Sequence, residues 1–288
     1  MNRNKPKTPL ILKVIQKTFP VVEKVSPQLA ERWFTKLFTS PFRYPIPEPE
    51  KAFFKTVEKE ETLNWNGEEV KVYQWGEGKP ILMVHGWMGR AGQFRKMIPA
   101  FTKEGYKVIS FDAIAHGYST GKSTHMLEFS QTIQELGKQY GPFEAIIGHS
   151  LGGVACLHAT IVAKLTKKLV MLGSPSVGED ILSDFRKLIN ASEKNIPYML
   201  ERVQDLTGQS FFELSGIALV KQLRGVELLL VHDKQDKQVS FLHSEAVHAN
   251  YKDSELILTE GLGHNRILKD KEVIKKVFAH AHQETIEA

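Results

Sequence analysis

Cysteine is almost missing from this chain of 288 residues, and its one thiol, Cys156, leaves no partner for an internal disulfide. That excludes the disulfide-stapled secreted classes and fits a reducing compartment, so a cytoplasmic location is expected. Long apolar runs are missing too. No stretch approaches the ~20 consecutive apolar residues that a membrane-crossing helix needs. The nearest candidate for a secretory signal, residues 9–19, is broken by Lys13 and Lys17 and has no small-residue cleavage site after it, so no signal is expected. A uniform excess of one charge is also lacking. The formal net charge is +5, but residues 1–45 hold nine basic residues against Glu23 and Glu31, so this arm carries +7 and the remainder about −2. A basic arm on a near-neutral body is not the footprint of a nucleic-acid binder, and no nucleic-acid partner is expected.

The chain is long enough for one large α/β domain or two small ones. Leu10, Ile11, Val14 and Ile15, then Leu29, Trp33 and Leu37 with Phe34 and Phe38, recur at helical spacing, which predicts two amphipathic helices in a basic extension over residues 1–48. Ser26-Pro27 supplies the cap and first turn of the second. With Lys and Arg beside an apolar face, the extension allows peripheral contact with a membrane, and packing of its stripe on the main domain is the preferred expectation. A proline-rich linker follows. Strands are then expected at Phe53 to Val57 and Glu69 to Tyr73, with a turn at Asn66-Gly67 between them. Beyond it strands and helices alternate: strand 80–84, helix 93–103, strand 107–111, helix 124–140, strand 145–149 with its helix, and strand 169–172. The rhythm stops at about 175–224, read as an inserted helical cap in a domain of residues 49–288. It resumes with strands 226–231 and 255–259 and a last helix over 267–280. The alternation predicts an α/β fold with a mostly parallel central sheet and helices on both faces.

Ala145 to Ala155 reads as a short strand, the turn Gly148-His149-Ser150-Leu151-Gly152, and a small-residue helix. Strand, sharp turn and helix form a nucleophile elbow, in which the glycines let backbone meet backbone and the serine is pushed into a strained conformation at the strand's end. Ligands of an open parallel sheet bind at the carboxyl ends of its strands. After the strand at 80–84 comes His85-Gly86-Trp87-Met88-Gly89, whose Trp87 N–H, with that of Leu151, is expected to donate to a developing oxyanion. His85, Gly86 and His149 are the expected substrate-contacting residues. After the strand at 226–231 come two carboxylates, Asp233 and Asp236, and after the strand at 255–259 comes Gly263-His264. Serine, acid and histidine thus occur in that chain order, each directly after a strand. No metal site is expected at His280 and His282, which share a helix without a third ligand nearby.

On His85-Gly86-Trp87, Asp112-Ala113-Ile114-Ala115-His116-Gly117-Tyr118-Ser119, Gly148-His149-Ser150-Leu151-Gly152, Asp236 and Gly263-His264, the chain resembles the α/β-hydrolase superfamily, from roughly Phe53 to the end. The resemblance implies the α/β-hydrolase fold, with Ser150 as nucleophile, His264 as general base and then acid, and Asp236 as the carboxylate that orients it. Asp236 is preferred to Asp233 because it stands three residues before Val239, as in the superfamily's Gly-x-x-Asp-x-x-Val pattern. The Asp112 loop departs from the usual Asp-x-Arg-Gly-x-Gly form, with Ile114 and Ala115 in place of Arg and Gly, and is expected to shape the pocket rather than react. A serine nucleophile points away from the dehalogenase and epoxide-hydrolase branches. The expected activity is hydrolysis of a small-molecule ester, with thioester next, through an acyl-enzyme and without a cofactor. The alternatives are a non-catalytic ligand-binding protein of this fold and a membrane-surface protein acting through its basic arm.

Overall fold

The computed structural model describes residues 10–282, so Arg3, Lys5 and Lys7 of the basic arm lie outside the described residues. In chain order the elements are α1 Leu10–Val25, α2 Pro27–Thr39, α3 Glu48–Phe54, β1 Lys59–Trp65, β2 Glu68–Trp75, β3 Lys79–Val84, α4 Ile98–Thr102, β4 Tyr106–Asp112, α5 Met126–Tyr140, β5 Ala145–His149 and α6 Leu151–Ala163. They continue with β6 Lys168–Leu172, α7 Gly178–Leu188, α8 Asn195–Thr207, α9 Gly216–Val220, β7 Glu227–Asp233, α10 Leu242–Ala249, β8 Ser254–Thr259, α11 Gly263–Arg266 and α12 Lys271–His282. Two units result. One takes the chain through Thr39 together with Val177–Leu214, and the other takes Ser40–Ser176 and the chain from Ser215 on.

The larger unit is built on one eight-stranded sheet of order β1-β2-β4-β3-β5-β6-β7-β8. The pairs β1/β2 and β2/β4 are antiparallel, and the other five are parallel. Its central strands read as near-continuous apolar runs because both faces are covered. In β3, Ile81 and Met83 enter one core with Phe94, Phe101 and Val277, while Leu82 and Val84 enter the other with Phe129, Ile133 and Leu157. Cys156 lies in the second core, fully buried, and burial pushes its thiol well above the ordinary range, as befits a packing residue.

Register levels the strand ends. Val84 pairs with Gly148, His149 with Leu172, Leu172 with Val231, and Asp233 with Thr259. The loops that leave β3, β5, β6, β7 and β8 therefore emerge along one rim, which is what brings distant segments of sequence together.

Three sequence expectations are corrected in this unit. Phe53 and Phe54 close α3 rather than open a strand: Pro47 stands before the helix, Glu48 and Glu50 occupy its first turn, and β1 begins only at Lys59. Phe53 stacks on Trp75 and Phe54 meets Tyr73 at a tilt, at centroid distances of 5.3 and 4.9 Å. The helix expected over 93–103 is split into a 3₁₀ turn, Ala91–Phe94, and α4, with Pro99 near the start of α4. The last helix, expected over 267–280, begins only at Lys271 as α12, where the Asp270 carboxylate accepts the N–H groups of Glu272 and Val273 and caps it.

The smaller unit has its own core. Ile15 and Phe19 of α1, Ala30 and Phe34 of α2, Leu182 of α7, Met199 of α8, and Ile189 and Ala191 between the last two helices are all buried together. Phe34 and Phe38 each meet the Phe185 ring edge-on at 5.1 Å. The Glu23 carboxylate accepts hydrogen bonds from the Ser192 hydroxyl at 2.7 Å and from the Asn195 amide. So the stripe of the arm is buried against the inserted helices of the 49–288 segment. Ser26-Pro27 does start α2, and the Leu29 N–H reaches the Ser26 hydroxyl at 3.4 Å. Met199 is buried in this core, and the partly buried Phe185 and Phe211 pack against it.

Candidate active site

Ser150 stands between β5 and α6 with φ +53° and ψ −126°, a conformation that L-residues rarely adopt. Such strain costs of order 1–3 kcal/mol and persists only where the surroundings impose it. Here the two flanking glycines show how. A Cβ on Gly148 would lie 2.5 Å from the Gly153 Cα, and one on Gly152 would lie 2.4 Å from the His85 carbonyl oxygen. The elbow is closed against backbone on both sides, and the Ser150 N–H is held by the Leu172 carbonyl at 2.8 Å. The side chain is left partly exposed at the rim.

His264 sits at the start of α11, and its Nδ1 lies 2.6 Å from Oδ2 of Asp236. The carboxylate side chain is fully buried and the imidazole nearly so. With Nδ1–H donated to the carboxylate, Nε2 is the ring atom left to take up a proton. Asp236 is itself fixed: its Oδ1 accepts the N–H groups of Gln238 and Val239 at 2.8 and 3.0 Å. Burial works to raise its pKa. Hydrogen bonds from His232 and His264, the charge of His264 and the Val239 N–H outweigh burial and hold it well below the usual carboxylate range. Asp233, the other carboxylate of this loop, accepts from Gln235 N–H, Thr259 hydroxyl and Leu262 N–H, at 2.8–3.0 Å, and so ties the loop after β7 to the loop after β8. Asp236 is the one that faces His264.

The pair lies beside the elbow. A Cβ on Gly173, directly after the Leu172 whose carbonyl holds Ser150, would lie 3.4 Å from His264 Nδ1 and 3.6 Å from Asp236 Oδ2. His149 bridges from the other side: its Nε2 donates to the His264 carbonyl at 2.9 Å, and the two rings are 4.7 Å apart.

The loop after β3 presses on the serine, since a Cβ on Gly86 would lie 2.7 Å from the Ser150 Cβ. Leu151 opens α6, where an N–H has no acceptor within the helix. Neither its N–H nor that of Trp87 has a hydrogen-bond partner among the described residues. His85 is buried and spans two loops, its Nδ1–H donating to the Gly86 carbonyl at 2.7 Å and its Nε2 accepting the Ala113 N–H at 3.0 Å. His149 is equally buried. The structure thus places His85 and His149 beneath the rim, as struts, rather than on its open side. Burial depresses their pKa to about 4 and about 3, in His149 with help from the neighbouring His264, so both stay neutral.

Two histidines that carried no assignment from sequence also act here. His116 donates from Nδ1 to the Ile114 carbonyl at 2.9 Å and accepts the Met88 N–H on Nε2 at 3.0 Å, which pins the loop next to Trp87. Burial, then the nearby His85, depresses its pKa to about 3. His232, fully buried, places Nε2 at 3.0 Å from the Val239 carbonyl and 3.4 Å from Asp236 Oδ2, with Ser244 on its Nδ1. Its position one residue before Asp233 was the available signal. Asp112 shapes rather than reacts: buried, it accepts from Tyr73 hydroxyl, Ala91 N–H and Tyr118 N–H. Among the described residues no group of three or more His, Cys, Asp or Glu side chains could hold a metal ion.

Residues 79–248, more than half of the chain, match the family model of the alpha/beta hydrolase fold. The chain belongs to that family. This α/β-hydrolase is 27% identical over 144 residues to the 2-hydroxy-6-oxo-6-(2'-aminophenyl)hexa-2,4-dienoic acid hydrolase of Metapseudomonas resinovorans, covering 46% of this chain and 48% of that protein. It is 30% identical over 109 residues to a serine hydrolase-like protein of Homo sapiens, covering 35% of this chain and 53% of that one. The matches span about half the length of these relatives. In fold, the α/β-hydrolase is similar to an esterase from Exiguobacterium antarcticum, with a TM-score of 0.57 at 20% identity over 76% of this chain and 97% of that one.

Proposed function

We propose that this α/β-hydrolase cleaves a carboxylic ester through an acyl-enzyme on Ser150, with thioesters as the next substrate class. The observation that carries the reading is the 2.6 Å contact of His264 Nδ1 with Asp236 Oδ2, set beside a serine held at positive φ. A serine hydroxyl alone is too weak a nucleophile at neutral pH. In this reading His264 Nε2 takes the Ser150 proton as Oγ bonds to the carbonyl carbon. Asp236, kept ionised, holds the ring tautomer and stabilises the imidazolium. The Trp87 and Leu151 N–H groups donate to the carbonyl oxygen as it gains charge, a contribution whose loss costs roughly 10²–10³ in rate per donor. Collapse breaks the bond to the leaving alcohol, which receives the proton from His264. Water, deprotonated by the same Nε2, then attacks the acyl-enzyme and releases the carboxylic acid and free Ser150. The named relatives are hydrolases and one structural neighbour is an esterase, which supports hydrolysis as the class of reaction.

A panel of p-nitrophenyl esters and acyl thioesters of graded chain length tests the proposal. Turnover of at least one member by the native chain is expected, with a loss of at least about 10³-fold in Ser150→Ala. A native chain inert across the panel, or a Ser150→Ala variant that keeps full activity, would overturn it.

A further inference from the structure

The helix α1 presents two apolar faces, and only one of them is used by the core of its unit. Ile15 and Phe19 point into that core, and so does the helix's one acid, Glu23, through its bonds to Ser192 and Asn195. On the opposite side Leu10, Val14, Val21 and Val25 are 78, 50, 60 and 80% exposed. At 3.6 residues per turn these four fall within an arc of about 60°, with the exposed Ile11 at its edge. Lys13, Lys17 and Lys24, all exposed, occupy the adjacent arc of about 40° on the other flank. An apolar stripe of this length, edged by a row of cations and free of carboxylates, has the layout of a helix that lies in the plane of a membrane surface.

We infer that this face of α1 docks on an anionic lipid bilayer, with Leu10, Val14, Val21 and Val25 entering the boundary between headgroups and acyl chains and Lys13, Lys17 and Lys24 meeting lipid phosphate and carboxylate groups. Charge decides between occupants. A second copy would bring its own lysines against these three, and the carboxylate that could answer them, Glu23, is turned into the core. The sequence adds to the same sign, since residues 1–45 carry +7. Each Lys near an anionic surface strengthens binding by about 1 kcal/mol, so the three together are worth about 100-fold in partitioning. Among the described residues no helix is long and apolar enough to cross a membrane.

Co-sedimentation of the full chain with sucrose-loaded vesicles tests the inference, using phosphatidylcholine alone and phosphatidylcholine with about 30 mol% phosphatidylserine, in 0.1 M salt where the Debye length is about 10 Å. The native chain is expected to sediment with the anionic vesicles only. Lys13→Gln/Lys17→Gln/Lys24→Gln should weaken that binding about 100-fold, and Val14→Asp/Val21→Asp should abolish it with the thermal melt unchanged. If the second variant folds poorly, the lysine variant, which alters only exposed side chains, carries the test alone. No sedimentation with anionic vesicles, equal sedimentation with both kinds, or full binding by the lysine variant would overturn the inference. So would a concentration-dependent dimer, seen by light scattering and lost in Val14→Asp/Val21→Asp, in a chain that ignores vesicles.

Discussion

Acidification from pH 7.5 to pH 5 should cost this protein about 6 kcal/mol of folding stability, because three histidines are buried as neutral struts around the site. His85, His116 and His149 are depressed by burial to about 4, 3 and 3, against an ordinary value of 6.5. Above pH 6.5 each is neutral in both folded and unfolded chains, and their packing is fully available. Below it only the unfolded chain takes up the proton, so stability falls as pH drops from 6.5 toward 4 and 3. At pH 5 an unfolded-state pKa of 6.5 gives about 2 kcal/mol per group, whatever the depth of the depression, provided the folded ring is still neutral. Three such groups sum to about 6 kcal/mol, against a total of about 5–15 kcal/mol for a typical protein. Asp112, whose carboxyl burial pushes up, works in the opposite sense, while His158 and His280, which burial also lowers, add to the loss. Asp236, held low, adds its own loss only below its ordinary 3.8, outside this window. Urea unfolding at half-unit steps between pH 7.5 and 5 measures the fall, and the same series on His85→Gln, which cannot titrate, should lose about 2 kcal/mol of it. A flat profile across that range, or a slope unchanged in His85→Gln, would refute the claim that these rings are buried without charge.

The elbow and the acid–base pair yield further expectations. Asp236→Asn should keep the fold and lower kcat on any ester the native chain turns over by roughly 10³–10⁴-fold, while Asp233→Asn, which loosens the loops without facing His264, should cost far less; a reversed order in steady-state kinetics would exchange their roles. Ser150→Gly removes the steric cost of φ +53° and should raise stability by about 1 kcal/mol in urea unfolding while abolishing turnover, whereas a destabilised variant would show that the serine is not strained. Gly152→Ala brings a Cβ to 2.4 Å from the His85 carbonyl and 2.6 Å from that of Val84, both backbone atoms with nowhere to go, so a loss of more than about 3 kcal/mol or failure to fold is expected; normal expression and melting would contradict the packing.

Periodicity made the sheet legible. Strands such as 145–148 and 169–172 are apolar because helices cover both faces, and that pattern survives in one dimension. The N-terminal end of the larger unit was less so: Phe53 and Phe54 look like a strand in a window of five, and only the first turn before them, with Pro49 flanked by Glu48 and Glu50, turns them into the end of a helix. The arm's stripe was visible, its partner was not, since Phe34 meets Phe185 across about 150 residues of chain and nothing in either helix names the other. In the site, the glycine-flanked serine and the order of acid and histidine were written in the sequence, because close backbone approach restricts residue type. Between Asp233 and Asp236 the residues alone left the choice open and the resemblance to the superfamily's pattern indicated the second; the hydrogen bonds give each a separate task. The struts His85, His116 and His149, and His232 on the far side of Asp236, were hidden for a physical reason. Their function is to satisfy buried backbone and carboxylate groups, and that need arises only once the loops have met.

A fluorophosphonate probe read by intact-protein mass reports directly on whether Ser150 can be deprotonated on demand. One covalent adduct mapping to Ser150, absent from Ser150→Ala and formed far more slowly by His264→Ala, is the predicted result. A native chain that takes no label, or a label that persists in Ser150→Ala, would contradict it.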